Sequence, residues 1–208
     1  MEVYIILTDT GTVLTKIIRR FTKHPLNHAS ISFTKELDTT YSFGRKRVNN
    51  PFIGGFVKEN LNGKLFEKAE CAIYKCSVSA VEYEQMLKAV QEIEVEQQMY
   101  KYNFIGLFGV LFNKEINREG AFFCSEFVAT ILRSGGVATN SKPPSLMKPY
   151  DLVNGEKFLL LYEGQLRSYL VPQSQYADEM VNETKMTDQL FNLGTLFLKK
   201  AKSIVSYI

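Results

Sequence analysis

A chain of 208 residues, 45% hydrophobic and 23% charged, has the length of one globular domain with an extension and enough apolar residues for a core. A net charge of +3 gives nucleic-acid binding no compositional support. Three cysteines in so long a chain exclude a disulfide framework, and no apolar run approaches the ~20 residues of a membrane span.

Residues 3–7, Val-Tyr-Ile-Ile-Leu, read as a buried strand, too short and wrongly flanked for a signal peptide. Residues 12–23 read as a helix with an apolar stripe of Val13, Leu14, Ile17, Ile18 and Phe21. Its other face carries Lys16, Arg19, Arg20 and Lys23. Such a helix packs on a core and solvates its basic face; the competing reading is a membrane-surface helix. Residues 29–33 and 40–44 form the two strands of a hairpin, joined through Lys35-Glu36-Leu37-Asp38. Arg45-Lys46-Arg47 then opens a loop that runs through Asn49-Asn50-Pro51 and Gly54-Gly55. Residues 69–78 read as another strand. Cys71 and Cys76 on it would lie roughly 16 Å apart, too far to bridge. Free thiols suit a reducing compartment, so a cytoplasmic location is expected.

Ser79-Ala80-Val81-Glu82 is a capping box that starts a helix running to about Met99. Residues 102–112 form a short, strongly apolar helix, expected to be buried. A helix then begins at Cys124 and runs to Ser134, where Gly135-Gly136 stops it. Lys142-Pro143-Pro144 marks a loop and residues 157–162 a last strand. From about residue 176 the tail repeats apolar or small residues at helical spacing, among them Phe191, Leu198, Val205 and Ile208. The division is therefore 1–172 for the domain and 173–208 for an amphipathic helical tail. The tail packs on its own domain or on a second subunit as a homodimer. The class is α+β: a small antiparallel sheet packed against helices, with a helical C-terminal extension.

The segment Ala121-Phe122-Phe123-Cys124-Ser125-Glu126-Phe127 carries the chemistry. A thiol at a helix start is stabilised as thiolate by unpaired N–H groups and the positive end of the helix dipole. The thiolate is the nucleophile of cysteine enzymes. Of two histidines, His28 opens the strand His28-Ala29-Ser30-Ile31-Ser32, where Ser30 and Ser32 share its face like the wall of a polar cleft. His24 precedes Pro25 at a helix end and reads as a cap. An orienting group for the imidazole is expected on the following strand, from Thr40, Tyr41 and Ser42, with Ser42 first. Glu126 points roughly 200° around the helix from Cys124 and reads as a structural contact.

His28-Ala29-Ser30-Ile31 followed much later by Cys124-Ser125-Glu126-Phe127-Val128 resembles the permuted branch of the NlpC/P60 papain-like superfamily, in which the His strand precedes the nucleophile helix. Tyr102-Asn103-Phe104 is similar to a segment preceding the nucleophile helix in that group, and Lys148-Pro149-Tyr150-Asp151-Leu152 to a loop following it. The resemblance covers about residues 1–165. It implies a circularly permuted papain-like fold and a thiol hydrolase of the amidase or peptidase type, with Cys124 as nucleophile, His28 as base, Ser42 as third group, and Tyr102 and Ser30 lining the substrate cleft. Relatives often carry His, Glu or another polar residue on the second strand; here Tyr41-Ser42-Phe43-Gly44 offers a hydroxyl.

Two alternatives share these residues. One is a lipid acyltransferase or lipase of the lecithin-retinol-acyltransferase-like type. The other is a catalytically silent binding module on the same fold. The substrate is a small molecule, a peptide or an acyl lipid. No cofactor is expected: the histidines and cysteines have no metal-ligand spacing, and neither glycine pair matches a phosphate-binding loop.

Overall fold

The computed structural model describes residues 1–9, 24–47, 50–116, 118–137 and 141–171. The expected helix at 12–23 and the tail at 173–208, with the dimer contact assigned to it, lie outside the described residues. One compact unit spans Met1–Leu170. In chain order it contains β1 (Glu2–Asp9), β2 (His28–Ser32), β3 (Thr40–Arg47), β4 (Asn50–Glu59), β5 (Glu70–Ser77) and α1 (Ala80–Val95). There follow β6 (Lys101–Tyr102), α2 (Phe104–Leu111), β7 (Ala121–Phe122) and α3 (Cys124–Ser134). Two 3-10 turns, Pro144–Leu146 and Pro149–Val153, lead to β8 (Phe158–Gln165) and α4 (Leu166–Leu170).

The class is mixed α+β. Six strands form one antiparallel sheet in the spatial order β4-β3-β2-β1-β5-β8, and β6 and β7 form a separate parallel pair. The central strand β1 is apolar along most of its length because both faces of the sheet are covered there. Val3, Ile5 and Leu7 pack with Ile31 and Phe43 against Met86, Val90 and Ile93 of α1 and Phe127, Ile131 and Leu132 of α3. Tyr4 and Ile6 pack on the opposite face with Phe66, Cys71, Ile73 and Leu166. Each such side chain contributes about 1.5–3 kcal/mol by leaving water.

Most expected elements are present. The β2–β3 hairpin pairs Ile31 with Tyr41 and Ser32 with Thr40. The Ser79–Glu82 capping box is formed in both directions, with bonds of 3.2 and 2.7 Å. Helix α3 starts at Cys124 and ends at Ser134, with Gly135 as its C-cap and Gly136 at φ +73° beyond it.

Two expectations are corrected. The stretch from Arg45 onward taken for a loop is strand: Arg45, Lys46 and Arg47 end β3, and Asn50–Glu59 is β4, which pairs with β3 from Thr40↔Glu59 to Arg47↔Asn50. Pro51, Gly54 and Gly55 stand inside a strand here. Gly54 is required by a close approach, because an added Cβ would lie 2.9 Å from the Tyr102 Cβ. The second correction concerns the apolar helix α2, which is only partly covered: Ile105 is 54% exposed, and Phe112 just beyond its end is 72% exposed.

A candidate cysteine–histidine–glutamate site

Cys124 is the first residue of α3, following Phe123 in extended conformation. The Phe123 side chain cannot cap the helix, so the cap comes from the other direction. Glu126 Oε2 accepts the Phe123 N–H at 3.3 Å. The approach to the helix is set by the parallel pair, in which Tyr102 stands opposite Phe122 and the Asn103 N–H donates to the Phe122 carbonyl at 2.8 Å. Behind the helix start, the Ser125 hydroxyl donates to the Met147 carbonyl at 2.7 Å. These ties fix where the sulfur sits.

The sulfur meets strand β2 at its open end. β2 pairs with β1 along its whole length but with β3 only at Ile31 and Ser32. The Ala29 amide, beyond that short ladder, hydrogen-bonds the Cys124 sulfur, as does the Ser125 amide. The His28 side chain hydrogen-bonds the same sulfur.

On its far side, His28 Nε2 lies 2.7 Å from Glu59 Oε1, which leaves Nδ1 as the nitrogen to face the thiol. Glu59 is the last residue of β4, two strands away from β2 in the sheet. Its carboxylate accepts two further bonds, from Ser42 Oγ to Oε1 at 2.6 Å and from Ser30 Oγ to Oε2 at 2.7 Å. Alternation along the strands puts His28 and Ser30 of β2, Ser42 of β3 and Glu59 of β4 on one face of the sheet. The side chains of His28 and Glu59 are 15% and 6% exposed.

The electrostatics follow from this chain of contacts. Burial pushes the His28 imidazole toward its neutral form, but the Glu59 charge and the hydrogen bonds to Cys124 and Glu59 outweigh it and raise the pKa well above the ordinary value. Burial pushes the Glu59 carboxyl up, yet His28 and the two serine hydroxyls hold it below the usual carboxylate range. Burial likewise pushes the Cys124 thiol up, and the His28 hydrogen bond and charge, with the Ala29 and Ser125 amides, bring it below the ordinary thiol value. All three shifts favour the charged forms, a thiolate–imidazolium–carboxylate chain.

The expected site residues are therefore placed as follows. Cys124 and His28 meet. Ser42 gives its hydrogen to Glu59 and positions the carboxylate, not the ring. Ser30, expected to line the substrate cleft, is 1% exposed and is also bonded to Glu59. Tyr102 is half-buried between Gly54 of β4 and the approach to Cys124, with its ring centroid 4.6 Å from that of Phe104. His24, read as a cap, packs against Tyr150 with ring centroids 4.4 Å apart and the planes tilted by 31°. Sequence reasoning missed Glu59. The signal was present: the β3 and β4 runs are joined by a two-residue connection, since Arg47 pairs with Asn50. Reading that connection as a hairpin would have made Glu59 a strand residue on the face of Ser42; the register shift between Arg45 and Arg47, which the sequence does not announce, is what brings it opposite Thr40.

Among the described residues, no group of three or more His, Cys, Asp and Glu could hold a metal ion, and no helix is long and apolar enough to cross a membrane. No protein-family model matches the chain, and no curated protein sequence matches it.

Proposed function

We propose that the protein is a thiol-dependent acyl-transfer hydrolase, of the kind implied by the resemblance to the permuted NlpC/P60 papain-like group, acting on an amide or ester carbonyl. One observation carries the reading: the unbroken hydrogen-bonded chain from Cys124 through His28 to Glu59. In this mechanism the Cys124 thiolate attacks the carbonyl carbon and the electron pair moves onto oxygen. The Cys124 N–H, in the first turn of α3 without an intrahelical partner, is one donor for that oxyanion. The His28 imidazolium gives its proton to the departing amine or alcohol as the carbon–nitrogen or carbon–oxygen bond breaks, leaving a thioester. Water then enters. His28 takes one of its protons, its oxygen bonds to the acyl carbon, and the thiolate leaves. Glu59 holds the ring in one orientation and stabilises its charge throughout. The reading of a silent binding module drew its support from a dyad with no orienting group, and Glu59 fills that place.

The test uses p-nitrophenyl acetate, whose acyl group is small and whose leaving group is good. Wild-type protein should release a burst of nitrophenol and gain one acetyl group on Cys124 in intact and peptide mass spectra. The Cys124→Ala variant should give neither, and His28→Ala should acylate about 10²-fold more slowly. A Cys124 that stays unacylated at neutral pH, and that alkylates no faster than an ordinary thiol, would remove the proposal.

A further inference from the structure

The six-stranded sheet ends at β8, which pairs with β5 on one side. Among the described residues no strand pairs with its other side. Such an edge presents a row of unpaired N–H and C=O groups, and natural proteins blunt it with lysines, prolines or a covering element. Residues 158–165 read Phe-Leu-Leu-Leu-Tyr-Glu-Gly-Gln, with no lysine or proline and one charge, Glu163. Leu159, Leu160 and Leu161 are 57%, 52% and 36% exposed. A single exposed leucine is ordinary on a protein surface. Three in succession along an unpaired edge are the pattern of a strand that meets another chain.

The residues around the leucines say which chain. Tyr74 pairs with Leu160 and Ile73 with Tyr162, so Leu161 is an extra residue in the middle of β8. Phe158, Leu160 and Glu163 stand opposite Cys76, Tyr74 and Ala72, on the face covered by α1 and α3. Leu159 and Tyr162 stand opposite Lys75 and Ile73, on the other face. Consider a second copy laid antiparallel along this edge, with a two-fold axis between Leu160 and Leu161. Bulge then lies against bulge, and both faces stay in phase on either side of it. Leu159 meets Tyr162 of the second copy on one face, and Phe158 meets Glu163 on the other. Lys157 precedes Phe158, and its ammonium lies 3.8 Å from Glu82 of α1, which puts it on the face of Glu163. Each Lys157 therefore comes beside the Glu163 of the second copy, twice by symmetry. A parallel pairing would set lysine against lysine and acid against acid. The edge is self-complementary in the antiparallel sense, as a two-fold interface requires.

We propose that two copies of this chain associate through antiparallel β8 strands, joining their sheets into one. The site strands β2, β3 and β4 lie toward the other edge of the sheet, so each copy keeps its own Cys124 site clear of the contact. The association is independent of what Cys124 does.

The test is sedimentation equilibrium of the full chain over a wide range of concentration. The proteins compared are wild type, Leu160→Lys, Glu163→Lys and the double variant Lys157→Glu/Glu163→Lys. All three side chains are exposed, and circular dichroism with the Tm checks that each variant folds. Wild type should form a dimer. Leu160→Lys, which brings two ammonium groups to the axis, should raise its Kd about tenfold or more. Glu163→Lys should raise it severalfold at low salt, and the double variant, which exchanges the two charges, should recover most of that loss. Hydrogen exchange of the β8 amides should slow in wild type as concentration rises. A wild type that stays monomeric overturns the proposal. A dimer that Leu160→Lys leaves intact, or whose formation leaves β8 exchange unchanged, also overturns it and places the contact elsewhere, the tail beyond residue 172 included. A double variant no tighter than Glu163→Lys removes the antiparallel pairing.

Discussion

Glu59 shows what a single carboxylate does when it is buried beside a cation and two hydroxyls. Its charge favours the protonated form of His28, and the His28 hydrogen bond and charge in turn lower the Cys124 thiol below its ordinary value. Glu59→Gln preserves the shape and removes the charge. Without the carboxylate the imidazolium is less stable, so the His28 pKa falls; without the imidazolium the thiolate is less stable, so the Cys124 pKa rises. The iodoacetamide alkylation profile of Cys124 should therefore move to higher pH in this variant, and acylation by p-nitrophenyl acetate should slow by about 10²-fold. Ser42→Ala removes one of three bonds to the carboxylate and should cost less than tenfold. At this scale the sequence was readable where a residue's role depends on its own neighbours in the chain. Cys124 is the first residue of a helix and His28 the first of a strand, and both facts are local. The partner of His28 lies 31 residues further on and reaches it across an intervening strand, so only the sheet order reveals it.

The same distinction holds for whole elements. Strands β1, β2, β3 and β5 and helices α1 and α3 announce themselves through alternation, capping residues and a glycine stop. Strand β4 does not, because Pro51, Gly54 and Gly55 are loop residues by every local rule, and because its glycine at 54 answers to a strand encountered 48 residues later. The two-residue strands β6 and β7 are too short to show any period. The Gly54 contact has a measurable consequence. Gly54→Val puts branched carbon where an added Cβ already lies 2.9 Å from Tyr102 Cβ and 3.0 Å from the Gly44 carbonyl, atoms that cannot swing aside. The variant should lose about 1–3 kcal/mol, a few degrees in Tm, and Cys124 alkylation should slow because β6 and β7 set the start of α3. Gly55→Ala is the control: its new carbon meets the flexible end of Lys46, which can move.

Over the whole molecule, one buried acid opposes folding as pH rises. Burial raises the Glu126 pKa from 4.5 to about 7, against the Phe123 N–H and Asn103 bonds that favour its ionised form. The unfolded chain ionises this group near its ordinary value, so between pH 4.5 and 7 the folded state holds more protons than the unfolded one. Stability from this group is greatest at or below the lower value and declines until the upper one is passed, by at most about 3 kcal/mol. Glu126→Gln retains an oxygen for the Phe123 N–H and should be more stable than wild type at pH 8 but not at pH 4.5, as read from urea unfolding at the two values. A difference that does not vary with pH would assign Glu126 no titrating role. The thiols give the same molecule a second gauge. Folding lowers the Cys124 pKa and raises those of Cys76 and Cys71, the last to about 12. Unfolding returns all three to one common value, so Cys124 loses reactivity while the other two gain it. The ratio of label on Cys124 to label on Cys71 therefore reads out how much of the chain is folded, with no probe added to the sequence and no knowledge of the substrate.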